Sequence, residues 1–326
     1  MNSSYRFLTN SLPILAFIVI TVGAYVRLTD AGLGCPDWPG CYGQLVISQD
    51  HSELAAAARE FQQEAVEVGK AWREMFHRYI AAGLGLGIVA LFAFSIKERP
   101  KPRQTKLLAS LVLLVIFQGM LGMWTVTLLL KPLVVTGHLL GGLATLSLLW
   151  WHFLREKYHD VEKSVPTPLI NGVLVVLVGQ IFLGGWTSTN YAALACTDFP
   201  TCHGAFWPEM DITEAFVLWR GLGVDYEFGV LDTPARTAIH FFHRVWAIVT
   251  AACLTGVAIY AIRIGSKPAK RAGWCIICAL GVQLSLGISN VIFGLPLPIA
   301  VAHNGCAAVL LLAVVTLKYF NNYKVR

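Results

Sequence analysis

Residues 74–96 read EMFHRYIAAGLGLGIVALFAFSI, and residues 236–262 read RTAIHFFHRVWAIVTAACLTGVAIYAI. Both runs exceed the roughly 20 apolar residues a helix needs to cross a bilayer. Yet each carries a histidine and an arginine near its start, His77-Arg78 and His243-Arg244. Polar groups at such depth are costly unless they find partners inside a helix bundle. The two stretches are therefore expected to be membrane helices with inward-facing histidines. Charged residues make up 13 % of the chain and mean hydropathy is +0.61, whereas a soluble domain is about one quarter charged. Further apolar runs at 11–28, 107–129, 133–154, 168–189, 272–294 and 298–318 bring the expected spans to eight. The first has Arg6 before it and no small-residue cleavage pattern after it, so it is expected to be a retained helix rather than a signal peptide.

Charge asymmetry orients the spans. Lys97, Arg99, Lys101, Arg103 and Lys106 follow the second span, Arg155, Lys157 and Lys163 the fourth, and Arg263, Lys267, Lys270 and Arg271 the sixth. With Arg6 and the tail residues Lys318, Lys324 and Arg326, the positive-inside rule places both termini in the cytoplasm. The net charge of +6 is mostly this topological signal. Its residues are split among loops, which fits anionic lipid headgroups and argues against nucleic acid as a partner.

The two long loops, 29–72 and 190–235, then fall outside the cytoplasm. Each opens on a cysteine pair at one spacing, Cys35-Pro-Asp-Trp-Pro-Gly-Cys41 and Cys196-Thr-Asp-Phe-Pro-Thr-Cys202. An extracytoplasmic compartment permits disulfides, and a disulfide in each loop is the favoured expectation. The competing reading is a pair of redox-active or metal-binding thiols. Zinc is disfavoured, because it needs four ligands and only His203 and His51 stand nearby in sequence. Cys253, Cys275, Cys278 and Cys306 lie in spans, where cysteine is usually a packing residue. An amphipathic stretch runs near Ser52–Val68.

The halves form a repeat. Cys35 maps to Cys196 at an offset of 161, His77 to His243 at 166 and His138 to His303 at 165. Four spans per half make the repeat parallel, about an axis along the membrane normal. The expected fold is all-α integral membrane, with eight transmembrane helices as two pseudo-symmetric four-helix bundles, 1–160 and 161–326, joined by a polar cytoplasmic linker at 155–167.

Counted along the helices at about 1.5 Å per residue, His77, His138, His243 and His303 all fall about 8–10 Å below the outer surface. They make two level pairs. A haem iron between facing helices would satisfy both members of a pair, which gives each half its own candidate pair of axial metal ligands. For a single histidine, a helix-helix hydrogen bond would be an equal reading; four at one depth, paired by a repeat, favour haem. Gly83, Gly85 and Gly87 after His77, and Gly137, Gly141 and Gly142 around His138, would remove bulk beside a flat macrocycle. The repeat breaks at one place: Glu74 precedes His77 by three residues, where His240 precedes His243. That spacing keeps each on the face of its ligand. Glu74 is read as a catalytic acid, base or charge stabiliser, with an interfacial charge paired to Arg73 or Arg78 as the bland alternative. Arg78 and Arg244 either meet haem propionates or snorkel to the interface.

The segments Glu74-Met-Phe-His77-Arg78, Gly32-Leu-Gly-Cys35-Pro-Asp-Trp-Pro-Gly-Cys41, Thr136-Gly-His138, Phe241-Phe-His243-Arg244 and Ala302-His303-Asn304 together resemble the haem A synthase family of bacteria and mitochondria, over nearly the whole chain. The first loop motif joined to Glu-x-x-His-Arg is the specific part. The resemblance implies an oxidoreductase that converts the C8 methyl of haem O to formyl, making haem A for a terminal oxidase. It implies that the amino-terminal half takes haem O with His77 and His138 facing the substrate iron, and that the carboxy-terminal half holds a cofactor haem b through His243 and His303. It also implies a catalytic Glu74, a Cys35–Cys41 disulfide that supports substrate handling, and a place in the bacterial inner membrane. Expected partners are haem O, its synthase, an electron donor the sequence does not identify, membrane lipid and a second copy of the chain. The long outer loops depart from shorter family members. Two other classes compete: a di-haem electron carrier of the quinol-oxidising cytochrome b type, which would stack its haems at two depths, and a thiol oxidoreductase or haem transporter, which would leave the buried histidines without a role.

Overall fold

The computed structural model describes residues 3–48, 50–61, 65–97, 102–158 and 165–322, and its elements are helices. They are α1 (Ser3–Leu28), α2 (His51–Glu60), α3 (Val68–Lys97), α4 (Pro102–Thr127), α5 (Pro132–Lys157), α6 (Thr167–Thr189), α7 (Ile212–Ala215), α8 (Thr233–Ile264), α9 (Lys267–Ile292) and α10 (Leu297–Asn322). Eight of these, all but α2 and α7, are long and apolar enough to cross a membrane. They are the eight expected spans. Arg99, Lys101, Lys163, Lys324 and Arg326, which carry part of the orientation signal, and residues 159–164 of the linker lie outside the described residues.

The helix ends follow from local chemistry. Pro168, Pro234 and Pro268 sit in the first turns of α6, α8 and α9, where the missing N–H has no intrahelical partner to lose. Asp232 caps α8 by accepting the Ala235 N–H at 3.0 Å. At the other end of the hairpins, α1, α4, α6 and α9 finish in one motif. The N–H of Ala31, Leu130, Ala192 and Leu295 donates to the carbonyl five residues back, Val26, Thr125, Thr187 and Asn290, at 2.7–3.0 Å. The chain passes through positive φ at Asp30, Leu129, Tyr191 and Gly294. This is the left-handed C-terminal cap, and it stops α4 and α9 two residues before the expected ends at 129 and 294.

Helix α3 begins six residues earlier than its apolar run. Its first turns dock on the first loop: Ala71 and Met75 are buried with Cys35, Cys41 and Ile47 in one cluster. Gly34 is required at this contact, because a Cβ there would lie 2.7 Å from the main chain of Lys70. Of the expected amphipathic stretch Ser52–Val68, the part to Glu60 lies in α2, capped by Asp50, which accepts from the Ser52 N–H at 2.7 Å; residues 65–67 are not helical, Val68 begins α3, and residues 62–64 lie outside the described residues.

The chain forms two compact units, Met1–Gly142 with Leu218–Val230, and Leu143–Val217 with Leu231–Arg326. The sequence repeat divides instead at 160/161. The difference arises at α5, whose second half belongs to the second unit: there Trp150 Nε1 donates to Thr316 Oγ1 at 2.8 Å and the Tyr319 hydroxyl donates to the Tyr158 carbonyl at 2.5 Å. In the first unit α1 and α4 both pack on α3. In the second, α6, α8, α9 and α10 close a ring, each touching the next. The segment Leu218–Val230 of the second loop joins the first unit through Lys131, which is 1 % exposed. The Lys131 ammonium bonds the Gly221 carbonyl and lies 3.5 Å from the Trp219 ring centroid, a desolvated cation–π contact. The Tyr226 N–H donates to the Leu129 carbonyl at 3.1 Å.

Candidate active site and its counterpart

Both cysteine pairs are disulfides, Cys35–Cys41 and Cys196–Cys202, each with Cα atoms 4.8 Å apart. The two loops are built alike. Asp37 accepts the N–H of Tyr42 at 2.6 Å and of Gly43 at 2.9 Å. Asp198 accepts those of His203 at 2.7 Å and Gly204 at 3.0 Å. The accepting carboxylate lets the next two residues, Tyr42-Gly43 or His203-Gly204, turn through positive φ. The Thr201 hydroxyl, then the Gly204 and His203 amides, hold the Asp198 carboxyl down at about 2. Cys253, Cys275, Cys278 and Cys306 are free.

Each loop is fastened to the helix behind it by a side-chain pair one turn above the histidine. In the first unit Glu74 is 5 % exposed. Its Oε2 accepts the Cys35 N–H at 2.9 Å and its Oε1 pairs with Arg78 Nη2 at 2.5 Å. Arg78 Nη1 donates to the carbonyls of Asp37, at 2.9 Å, and Gly40. In the second unit His240 stands in the same socket. Its Nδ1 lies 3.2 Å from the Cys196 N–H and its Nε2 lies 3.2 Å from Arg244 Nε, and Arg244 donates to the carbonyls of Cys196, Asp198 and Thr201 at 2.8–2.9 Å. The sockets differ chemically. A carboxylate accepts from both donors at once, whereas a neutral imidazole accepts at one nitrogen only. The first socket also holds an ion pair, whereas in the second Arg244 has the Asp198 carboxylate only at longer range and forms no ion pair among the described residues. Both arginines thus grip loop carbonyls, a role neither sequence reading assigned.

One turn further along, His77 lies within electrostatic range of His138, and His243 of His303. His77 and His243 are the tenth and eleventh residues of their helices, and His138 and His303 the seventh of theirs. Each imidazole lies against a glycine of a loop-side helix end. A Cβ would stand 2.9 Å from His77 Cε1 at Gly23, 3.6 Å from His138 Cε1 at Gly122, 3.2 Å from His243 Cε1 at Gly184 and 3.1 Å from His303 Cε1 at Gly287. The glycines singled out from sequence fall into two groups. A Cβ at Gly87 would meet Leu12, one at Gly141 would meet Gln118, and Gly83 and Gly137 face open space.

Four residues before the cradling glycine stands a glutamine in three of the four cases: Gln118, Gln180 and Gln283, with Val19 in the fourth. Gln118 Nε2 donates to the His138 carbonyl at 2.9 Å. The carboxamide of Gln180 lies 3.1 Å from His243 Nδ1, and that of Gln283 lies 3.2 Å from His303 Nε2. Sequence reasoning missed these residues. The spacing Gln-x-x-x-Gly, three times over at equal distance from the helix end, was the signal. The buried Nδ1 atoms of His77, His138 and His303, and the Oε1 atoms of all three glutamines, have no hydrogen-bond partner. Paired imidazoles with unsatisfied ring nitrogens, each given room by a glycine, fit an iron held between two histidines.

The chain matches the COX15-CtaA family, described as cytochrome oxidase assembly protein, over residues 6–315. It is 48 % identical over 315 residues, 94 % of this chain and 93 % of the relative, to a protein of Shewanella oneidensis named heme A synthase. Proteins of the same name from Halalkalibacterium halodurans, 26 % identical over 93 % of this chain and 92 % of the relative, and Nitrosospira multiformis, 27 % identical over 92 % and 88 %, are similar along their lengths. With the match running through both histidine pairs and both disulfide loops, this chain belongs to the COX15-CtaA family of cytochrome oxidase assembly proteins.

Proposed function

We propose that this chain is a haem A synthase of a bacterial inner membrane, its termini cytoplasmic and its two disulfide loops outside. The observation that carries the reading is the 48 % identity, along nearly both full lengths, to a relative named heme A synthase. The substrate is haem O. Two hydroxylations of its C8 methyl give first the alcohol and then the hydrate, which loses one water; the net change is gain of one oxygen atom and loss of two hydrogens.

The first unit is the substrate site, with His77 and His138 facing the substrate iron. Glu74 supports this assignment because it is the carboxylate on the His77 face, where its counterpart is neutral His240. Buried beside the reacting edge, it holds a proton or balances positive charge that develops there. Arg78 orients that carboxylate while holding the disulfide loop over the end of α3. In the second unit His243 and His303 hold a haem b, which supplies one-electron transfer when bound. Gly184 and Gly287 give the two rings their room. Arg244, its donors engaged by His240 and the loop carbonyls, places a positive charge near the site that suits the negative charge of haem propionates. The change removes four electrons from the methyl carbon, which an external oxidant takes up; haem O synthase and an external electron donor are the further partners.

The test is the identity of haems extracted from membranes that express this chain together with a haem O source. Haem A is expected. Haem O alone, with a bis-histidine haem still bound, would make the chain a di-haem electron carrier instead.

A further inference from the structure

We propose that Gln180 is a positioning residue for His243, its carboxamide oxygen accepting the Nδ1–H so that Nε2 is presented to the haem iron. The inference rests on the assignment of His243 and His303 as ligands. A neutral imidazole that ligates through one nitrogen carries its proton on the other. Ligating histidines almost always donate that proton to an acceptor, which fixes tautomer and ring direction and strengthens the ligand. Beside His243 the carboxamide of Gln180 reaches Nδ1 itself, at 3.1 Å. Half a turn about its last bond exchanges Oε1 and Nε2 without changing the shape of the group. That turn brings to the ring an Oε1 that is otherwise buried without a partner. In the other orientation the same position, as Nε2, donates to the His243 carbonyl at 3.3 Å, so the half turn exchanges that bond to the main chain for the one from the protonated ring nitrogen that ligation through Nε2 requires.

The other three positions define what is particular here. Gln118 reaches the main-chain carbonyl of His138, and Gln283 approaches the far ring nitrogen of His303. Val19, the residue at this register beside His77, has no polar side-chain atom. Gln180 is therefore the carboxamide with a direct grip on the inner ring nitrogen, and it lies in the unit that retains its haem. At the substrate-side histidine His77 the side chain in this register is a hydrocarbon, and the main chain of Val19 approaches the ring in its stead.

The experiment uses the full-length purified chain with its resident haem, and reads midpoint potential and the low-spin electron paramagnetic resonance signal. Gln180→Leu removes the acceptor and weakens His243 as a donor to ferric iron. The potential should rise, and retention of ferric haem should weaken by about tenfold. Gln180→Glu supplies a stronger acceptor, and the potential should fall. A group that only packed against α8 would move neither value in opposite directions. Parental potentials in both variants, with haem retained, would overturn the inference and leave the haem b assignment standing. If Gln180→Leu fails to accumulate, Gln180→Glu decides: a lowered potential supports the grip and an unchanged one removes it. A parent whose low-spin signal survives His243→Ala would remove the ligand assignment, and the inference with it.

Discussion

At position 74 the first unit places a carboxylate where the second, at position 240, places an imidazole, and both touch the first cysteine's amide and the arginine four residues on. This socket makes Glu74 both a fastener and a candidate catalyst, so the choice of substitution matters. Glu74→Gln keeps an acceptor for the Cys35 amide and removes the charge. It should lower haem A formation by at least about 100-fold, with haem O or its alcohol accumulating and the spectrum of the second unit unchanged. Glu74→Ala should do the same and also loosen the first loop, because an arginine left without its buried partner costs about 3–5 kcal/mol. Haem A production by Glu74→Gln at the parental rate would reduce Glu74 to a fastener. His243→Ala or His303→Ala should each abolish the bis-histidine spectrum of the resident haem; its persistence in both would show that the second unit is not the haem b site.

The recurring element is the helix end facing the loops, in which a glycine three residues before the capping carbonyl receives an imidazole. Its four copies are not equally tight, and that gives a graded expectation. Gly122→Ala puts a methyl at ordinary contact distance from His138, 3.6 Å, whereas Gly184→Ala and Gly287→Ala press on their rings at 3.2 and 3.1 Å. Haem content should be near parental in the first and reduced in the other two, read as haem per protein in the pyridine haemochrome assay. Equal loss in all three would mean the rings are not what the glycines accommodate. The disulfide loops are the second recurring element, and closing so short a ring constrains the unfolded chain by about 2 kcal/mol. Asp198 adds a pH-dependent lock to the second. Its carboxyl is held at about 2, below an unfolded value of about 3.9, so its contribution is present above about pH 4 and is lost as pH falls toward 2. Phosphine reduction of Cys196–Cys202 should accelerate across that window, while Asp198→Asn should be fast throughout. A parental protein with no change in rate between those pH values would exclude the lock.

For the whole molecule, the sidedness proposed from charge asks for one measurement. In intact spheroplasts a membrane-impermeant thiol reagent should label neither Cys35 nor Cys41 until reductant is added, and both afterwards. Labelling before reduction would contradict the disulfide in the native membrane, and labelling of the reduced thiols only after the spheroplasts are permeabilised would place the loop on the other side. The eight spans, both cysteine pairs and the two histidine pairs were determined by the sequence itself. Burial in lipid demands apolar runs about 20 residues long, and a polar residue inside such a run stands out against its neighbours. Gly294 carried the usual glycine signal for a left-handed helix end, whereas the one at Leu129 was not legible, because leucine gives no local warning of positive φ. Likewise, nothing local marks Lys131 as buried, since its partners Trp219 and Tyr226 lie some ninety residues away. The Gln-x-x-x-Gly spacing marked three of the cradling glycines in the sequence, but not which histidine each would meet. Gly23 meets His77 and Gly184 meets His243 only once α1 packs on α3 and α6 on α8, whereas sequence proximity pointed to Gly83 and Gly137, which face open space. Which polar residues the membrane would force inward was decided by composition along the chain. Which partners they found there, Arg78 with loop carbonyls and Gln180 with His243, was decided only by tertiary packing, because hydrogen bonds are short and a helix face has no knowledge of the helix that will cover it.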